Sequence, residues 1–578
     1  MMPATRIVRR PLEAPPDGLP AGLHPVLRRV YAARRIVGPS DLDHSLACLP
    51  SPERLAGAAE AADRLARAIR ADERVLILGD FDADGATSSA LAVRALRAMG
   101  ARQVSYLVPN RFRFGYGLTP EIVAAARARS PDLIVTVDNG VASVAGVAAA
   151  NACGIDVIVT DHHLPGRELP AAAVIVNPNL PDAGFPSRAL AGVGVIFYVM
   201  LALRAQLRRE GGFGRQGLAE PNLAALLDLV ALGTVADVVP LDRVNRVLVA
   251  QGLERIGAGR ACPGMAALLE VAGRDPRRAT TTDLGFFVGP RLNAAGRLED
   301  MAIGIECLLA DDPDRARELA GTLDGLNRER RAIEEEMQGQ ALAMLGDIDP
   351  AGGDLPVGLC LYEPTWHQGV VGLLASRLKE RLHRPVIAFA PGEPGWLKGS
   401  GRSVPGVHIR DALDAVATGH PGLLERFGGH AMAAGLTLRE TDLPAFAAAF
   451  DAEVRRWLAP EDIAGIIHSD GEVDAGDLRL GLAEAIRAGG PWGQGFPEPL
   501  FDNAFDVLDR RVVGGRHLRL TLRPLGSQRG VEAIAFNQAE QAAAGMPARL
   551  RVAYHLDVNE YRGDARLQLR VTHWEAEP

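Results

Sequence analysis

Carboxylates and histidines stand directly behind short runs of apolar, mostly β-branched residues, and they do so at three places. Asp80, Asp82 and Asp84, in GDFDADG, follow VLIL (75–78); Asp138, in DNG, follows LIVTV (133–137); Asp161, His162 and His163 follow VIVT (157–160). A further run, VSYLV (104–108), lies between the first two, and Ala-rich helical stretches separate them all. Continuous apolar strands alternating with helices predict an α/β domain with a parallel sheet covered on both faces. In such a sheet ligands sit beyond the carboxyl ends of the strands, so three strands deliver acids and imidazoles to one edge. Asp237, in LGTVADVVPL, is a fourth contributor.

Clustered carboxylates repel one another unless cations neutralise them. Oxygen ligands with one or two imidazoles suit Mg²⁺ or Mn²⁺. A pair of such ions can activate water and steady both oxygens of an in-line attack on phosphorus. Each piece alone has a plainer explanation: a DxD after a strand is commonly a helix cap, and Asp-Asn-Gly a turn. Turn chemistry does not account for the repetition at successive strand ends. Phosphoester hydrolysis is the reaction class it points to.

With 578 residues the chain is too long for one core, and three or four domains are expected. Residues 1–70 read as an irregular arm ending in a helix, 71–305 as the acid-bearing domain and 306–350 as a connecting segment built on one long charged helix over 311–346. A second α/β domain spans 351–462, with Gly-rich stretches KGSGRS (398–403) and RFGGHAMAAG (426–435). By themselves those stretches are ordinary turn chemistry. Residues 463–578 carry five short strands with Gly/Pro turns, which predicts a small closed β-barrel of the OB type. The formal net charge of −8 does not exclude a nucleic-acid enzyme, because phosphate binding depends on local patches. Five scattered cysteines fit a reducing cytoplasm. The N-terminus has no apolar signal core, and the longest apolar run, Ala189 to Leu203, falls short of the ~20 residues of a bilayer span. A soluble, cytoplasmic protein with no membrane contact is expected.

In order and spacing, GDFDADG, VDNG, TDHH and GTVADVVPL resemble the four motifs of the DHH phosphoesterase superfamily. The resemblance implies that Asp82 binds a first metal, that Asp84, His162 and Asp237 bind a second, and that Asp138 bridges both. It sets His163 near the scissile phosphate, to polarise it or protonate the leaving oxygen. Asp80 and Asp161 match the motifs either as direct ligands or as groups that orient them. NRFRFGYGL (110–118), GPRLNAAGRLED (289–300), GSGRS, GGHAMAAG and PWGQGFPEPLF (491–501) narrow the resemblance to the superfamily's single-stranded-DNA exonucleases, over about residues 75–575.

That family implies a parallel-sheet DHH domain joined by the long helix to a DHH-associated domain, then the OB barrel. It implies 5′→3′ hydrolysis of single-stranded DNA to 5′-mononucleotides in recombination and repair, with two divalent ions, Mg²⁺ or Mn²⁺. Ser400, Arg402 and His430 would hold the phosphorylated 5′ end, facing the metals across a cleft; Arg111, with Arg291 or Arg297, would hold the strand from the other wall. On the barrel, Arg510, Arg511, Arg516, His517, Arg519 and Arg523 would attract the backbone, near Phe505, Phe536, Tyr554 and Tyr561, many of them core. Implied partners are single-strand-binding protein and a helicase, the enzyme itself being a monomer. The chain is expected to end with the barrel, without the further C-terminal domain of some relatives. Two rivals are a phosphodiesterase confined to very short oligonucleotides, which needs no barrel, and a replication scaffold that has lost catalysis, which the intact acids oppose.

Overall fold

The computed structural model describes residues 5–11, 18–109, 117–348, 355–459, 463, 465–543, 545–561 and 564–577. The chain divides into two compact units: Arg9–Asn327 together with everything from Ser469 onward, and Arg328–His468 with the residues before Arg9.

The first unit is built on five parallel strands, Val75–Leu78, Val104–Leu107, Leu133–Val137, Asp156–Thr160 and Val174–Val176. Strand Val104–Leu107 lies at one edge and Val174–Val176 at the other, with Val75–Leu78 hydrogen-bonded to Leu133–Val137 between them. Both central strands are wholly buried. Val75 and Ile77 join a large core with the helices Ala58–Ala71, Ala83–Ala98 and Gly192–Arg209, whereas Leu76 and Leu78 face a smaller core with Ile122 and Val147. Alternate side chains thus feed opposite layers, which is why the strands read as unbroken apolar runs. The connections diverge between Val75–Leu78 and Leu133–Val137. A crevice at such a switch point is where open α/β sheets take ligands.

The longest apolar run becomes the helix Gly192–Arg209, buried along most of its length. Among the described residues no helix is long and apolar enough to cross a membrane. The five cysteines are free thiols.

From Phe501 on, five strands close into a barrel in the order Phe501–Val513, His517–Pro524, Val531–Ala535, Asp564–Ala576 and Arg549–Tyr561. The N-terminal arm is more ordered than its sequence suggests, because its partners lie more than 400 residues away. Arg34 donates to both oxygens of Asp470 at 2.8 and 2.9 Å, and Tyr31 donates to the Gly489 carbonyl at 2.9 Å. Arg9 reaches the barrel carboxylate Asp502. PWGQGFPEPLF is a strap in the same interface: Trp492 and Phe496 stack at 5.0 Å, and the Arg246 guanidinium lies 4.5 Å from the Phe496 ring.

The 36-residue helix Pro313–Ile348 carries the chain from the first unit into the second. There a five-stranded mixed sheet runs Arg426–Gly429, Ala433–Arg439, Trp396–Arg402, Val386–Pro391, Leu359–Tyr362, with only the last pair parallel. Its core includes Phe389, Phe446 and Phe450.

Candidate metal centre

Directly past strand Val75–Leu78 the chain turns through Gly79 and enters the helix Ala83–Ala98. A Cβ on Gly79 would lie 2.2 Å from Ser89 Oγ, and one on Gly85 2.6 Å from the Asp80 carbonyl oxygen. Only glycine lets the helix come so close to the strand end. Asp82 caps this helix, accepting the Gly85 N–H at 3.0 Å. The capping and metal-binding explanations of GDFDADG therefore hold together: Asp80 and Asp82 also gather with Asp138, one side-chain oxygen of each lying within 4.8 Å of the others.

Asp138 stands in the left-handed region at φ +62°, a strained conformation of the kind found at functional sites. Neighbours hold it there. Its N–H donates to the Thr160 carbonyl at 3.0 Å, and the Asn139 amide donates to the carbonyls of Val137 and Leu78 at 2.9 and 3.1 Å. Asn139 thereby ties the two central strand ends together.

Asp84, His162 and Asp237 form a second ligand-spaced group, and Asp138, His162 and His163 a third. His162 Nε2 stands 3.1 Å from Asp138 Oδ1, 3.5 Å from Asp237 Oδ2 and 4.0 Å from Asp84 Oδ2. Asp138 is common to the first and third groups, and His162 to the second and third. Burial comes first, and repulsion from neighbouring acids second, in raising Asp84 to about 7 and Asp138 and Asp237 well above the carboxylate range. Such a set ionises fully only beside cations, and its hard oxygens with one imidazole fit Mg²⁺ or Mn²⁺.

Asp161 has another task. Burial pushes its pKa up, but the bond from His163 and the backbone N–H donors outweigh it and hold the carboxyl below its ordinary value. Its oxygens accept the N–H groups of Val141, His162 and His163 and approach His163 Nδ1 at 2.7 Å. Burial in turn lowers the His163 pKa, and Asp161 more than reverses this. Among the described residues Asp161 joins none of the ligand-spaced groups.

Several supports went unassigned in the sequence. Gly192 and Val193, opening a helix, donate N–H groups to the two oxygens of Asp84 at 2.6 and 3.0 Å. A Cβ on Gly192 would meet Asp138 Cβ at 2.5 Å, so the Gly-rich stretch LAGVGV at 190–195 is needed for close approach. Asn177 and Asn179 hold the carbonyls of His163 and His162. In GPRLNAAGR, Asn293 Oδ1 accepts the Ala83 N–H at 2.8 Å, and a Cβ on Gly296 would fall 1.9 Å from the Phe81 carbonyl oxygen. The motif braces the acidic loop.

Three of the arginines expected to contact the strand have carboxylate partners within the chain. Arg291 is buried and donates to Asp324 at 2.9–3.0 Å and to the Phe287 carbonyl at 2.6 Å, ties internal to the chain. On the barrel, Arg519 pairs with Glu532 at 2.7 Å and Arg523 with Asp506 at 2.9 Å, which leaves the exposed Arg510, Arg511 and Arg516 as the basic group. Phe505 and Tyr554 are core, while Phe536 is exposed and packs edge-on to His517 at 5.2 Å. Arg297 is half-buried. Arg111 and the side chain of Tyr561 lie outside the described residues.

In the second unit Ser400, Arg402 and His430 come together. Ala433 pairs in register with Arg402, and the His430 N–H donates to the Ala433 carbonyl at 2.8 Å. Arg402 donates to Ser400 Oγ at 3.1 Å and the Gly401 carbonyl at 2.8 Å. Among the described residues no carboxylate ion-pairs with it, and burial alone lowers its pKa. The amino end of helix Val371–Leu382 abuts it: a Cβ on Gly372 would stand 2.9 Å from Ser400 Oγ and 3.0 Å from Arg402 Nη2. A half-buried guanidinium beside a helix amino end suits an anion.

Comparison with known proteins agrees with this geometry. Residues 74–234 match the family model "DHH family, N-terminal domain", 357–456 the DHHA1 domain and 469–573 the RecJ OB domain. The single-stranded-DNA-specific exonuclease RecJ of Dickeya dadantii (strain 3937) is 55% identical over 572 residues, 98% of this chain and 99% of the relative. Crystal structures of RecJ from Thermus thermophilus in complex with Mn²⁺ and with Mg²⁺ align over 100% of this chain. They give TM-scores of 0.80 and 0.74, at 32% and 31% identity, over 80% and 78% of those chains.

Proposed function

The chain belongs to the RecJ family of single-stranded-DNA-specific exonucleases, and from that premise we propose how its own residues carry the reaction. It is a metal-dependent exonuclease acting on single-stranded DNA, with Mg²⁺ or Mn²⁺ as cofactor. Asp80, Asp82 and Asp138 would hold one ion and Asp84, His162 and Asp237 the other, with Asp138, 3.1 Å from His162, as the shared acid. When bound, the ions supply an activated water and charge neutralisation at the phosphoryl oxygens. His163, positioned through Nδ1 by Asp161, gives a proton to the leaving oxygen or polarises the phosphate. Ser400, Arg402 and His430 take the terminal 5′-phosphate, which gives 5′→3′ polarity and 5′-mononucleotide products. Arg510, Arg511 and Arg516 attract the strand, and Arg297 is retained as a strand contact.

A single-stranded substrate must be made by a strand-separating enzyme and kept open. A helicase and single-strand-binding protein are therefore the proposed partners in recombination and repair, with the enzyme a cytoplasmic monomer.

The observation that carries this reading is the set of overlapping ligand groups at the sheet's switch point. Digestion of a long 5′-phosphorylated strand tests it. Mononucleotides released from the 5′ end, stopped by a chelator and slow on duplex and RNA, are the expected result. An intact strand, or cleavage that ignores the chelator, would contradict it.

A further inference from the structure

Two unusual stretches of backbone flank the ligand Asp237, and each turns a large apolar side chain to solvent. Val238 has φ +61°, a conformation that a β-branched residue enters only under strain, and it is 63% exposed. Leu284–Val288 forms a single π-helical turn, a rare geometry frequent at functional sites. Leu284 and Val288 are buried, but Phe286 is 71% exposed. This turn docks on the last turn of helix Leu227–Ala236: a Cβ on Gly285 would stand 3.2 Å from Val235 Cγ1, and one on Gly289 3.2 Å from Ala236 Cβ. The turn that carries Phe286 therefore packs on the residues that lead into Asp237.

We propose that Phe286, assisted by Val238, is the surface on which a nucleobase of the strand stacks at the metal centre. The inference rests on the single-strand exonuclease reading. The metal ions and the basic groups of the proposed site are placed to grip phosphate, and none of them offers a base an apolar face. A single strand presents bare base faces, and a phenyl ring accepts any of them. Sequence-tolerant grip of this kind is what an enzyme that removes every nucleotide in turn requires. The pairing of an exposed ring with a strained neighbour at a ligand suggests that the backbone is held there for contact with substrate.

The test uses the purified full-length enzyme with Mn²⁺ and 5′-phosphorylated strands, either intact or with abasic residues at the first three positions. Phe286→Ala should raise KM on the intact strand about tenfold, with unchanged Mn²⁺ binding and melting temperature, and Phe286→Trp should stay near wild type. On the abasic strand wild type and Phe286→Ala should share one raised KM. Val238→Asn, whose new side chain tolerates left-handed backbone, should raise the melting temperature while weakening the grip. An unchanged KM for Phe286→Ala, or an equal further loss on the abasic strand, would overturn the stacking role while leaving the exonuclease reading intact. Failure of the wild type to digest the intact strand would overturn that reading itself.

Discussion

The acidic edge of the first sheet and the Ser400–Arg402 strand of the second unit carry opposite electrostatic problems. At the first, burial and mutual repulsion raise Asp84, Asp138 and Asp237 together. At the second, burial lowers Arg402, whose hydrogen bonds go to neutral oxygens. Neither imbalance is settled among the described residues, and each names the sign of what would settle it: cations at one, an anion at the other. Arg291 shows the contrast, since a buried guanidinium paired with Asp324 at 2.9 Å asks for nothing more.

Removing the shared acid should break the comparison most severely. Asp138→Ala should lower kcat on the order of 10³-fold or more, measured as mononucleotide release from a 5′-phosphorylated strand. On the anion side, Arg402→Ala should raise KM by about 10- to 100-fold, with most of the loss confined to 5′-phosphorylated strands. An equal loss on 5′-hydroxyl strands would assign Arg402 to the chain and not to its end. Asp161→Asn should lower kcat about tenfold or somewhat more and move the alkaline limb of the pH profile to lower pH, because His163 acts in its protonated form and loses the group that raises its pKa.

The smallest effect is on stability. In the metal-free protein the raised Asp84 pKa means that the folded chain keeps a proton which the unfolded chain releases near pH 4. Folding stability from this group should therefore fall as pH rises from about 4 to about 7, the penalty being complete above that. Thermal melts should show a metal-free midpoint a few degrees lower at pH 8 than at pH 5, a gap that Mn²⁺ closes and Asp84→Asn narrows.

The clustering of acids and histidines was legible in the sequence because strand and candidate site are contiguous there: LIVTV runs straight into Asp138, and VIVT into Asp161, His162 and His163. What escaped depends on distant partners. The arm seemed featureless because Arg34 finds Asp470, and Arg9 finds Asp502, across the whole chain. Arg291 looked like a strand contact because an arginine in a Gly-rich motif reads alike whether it faces solvent or an aspartate 33 residues on. Asp161 could not be separated from its neighbours as ligand or orienting group until its oxygens were seen engaged by backbone N–H groups and His163. Phe286 carried no signal, since an apolar residue in a helical stretch is ordinarily core.

The central claim is that buried, mutually repelling acids at the switch point are a two-ion site with Asp138 in common. Titration of the metal-free protein with Mn²⁺ at neutral pH, wild type beside Asp138→Ala, tests it directly. Two ions per wild-type chain, with loss of at least one in Asp138→Ala, is the result the geometry requires. Full binding by Asp138→Ala, or no binding by the wild type, would contradict it.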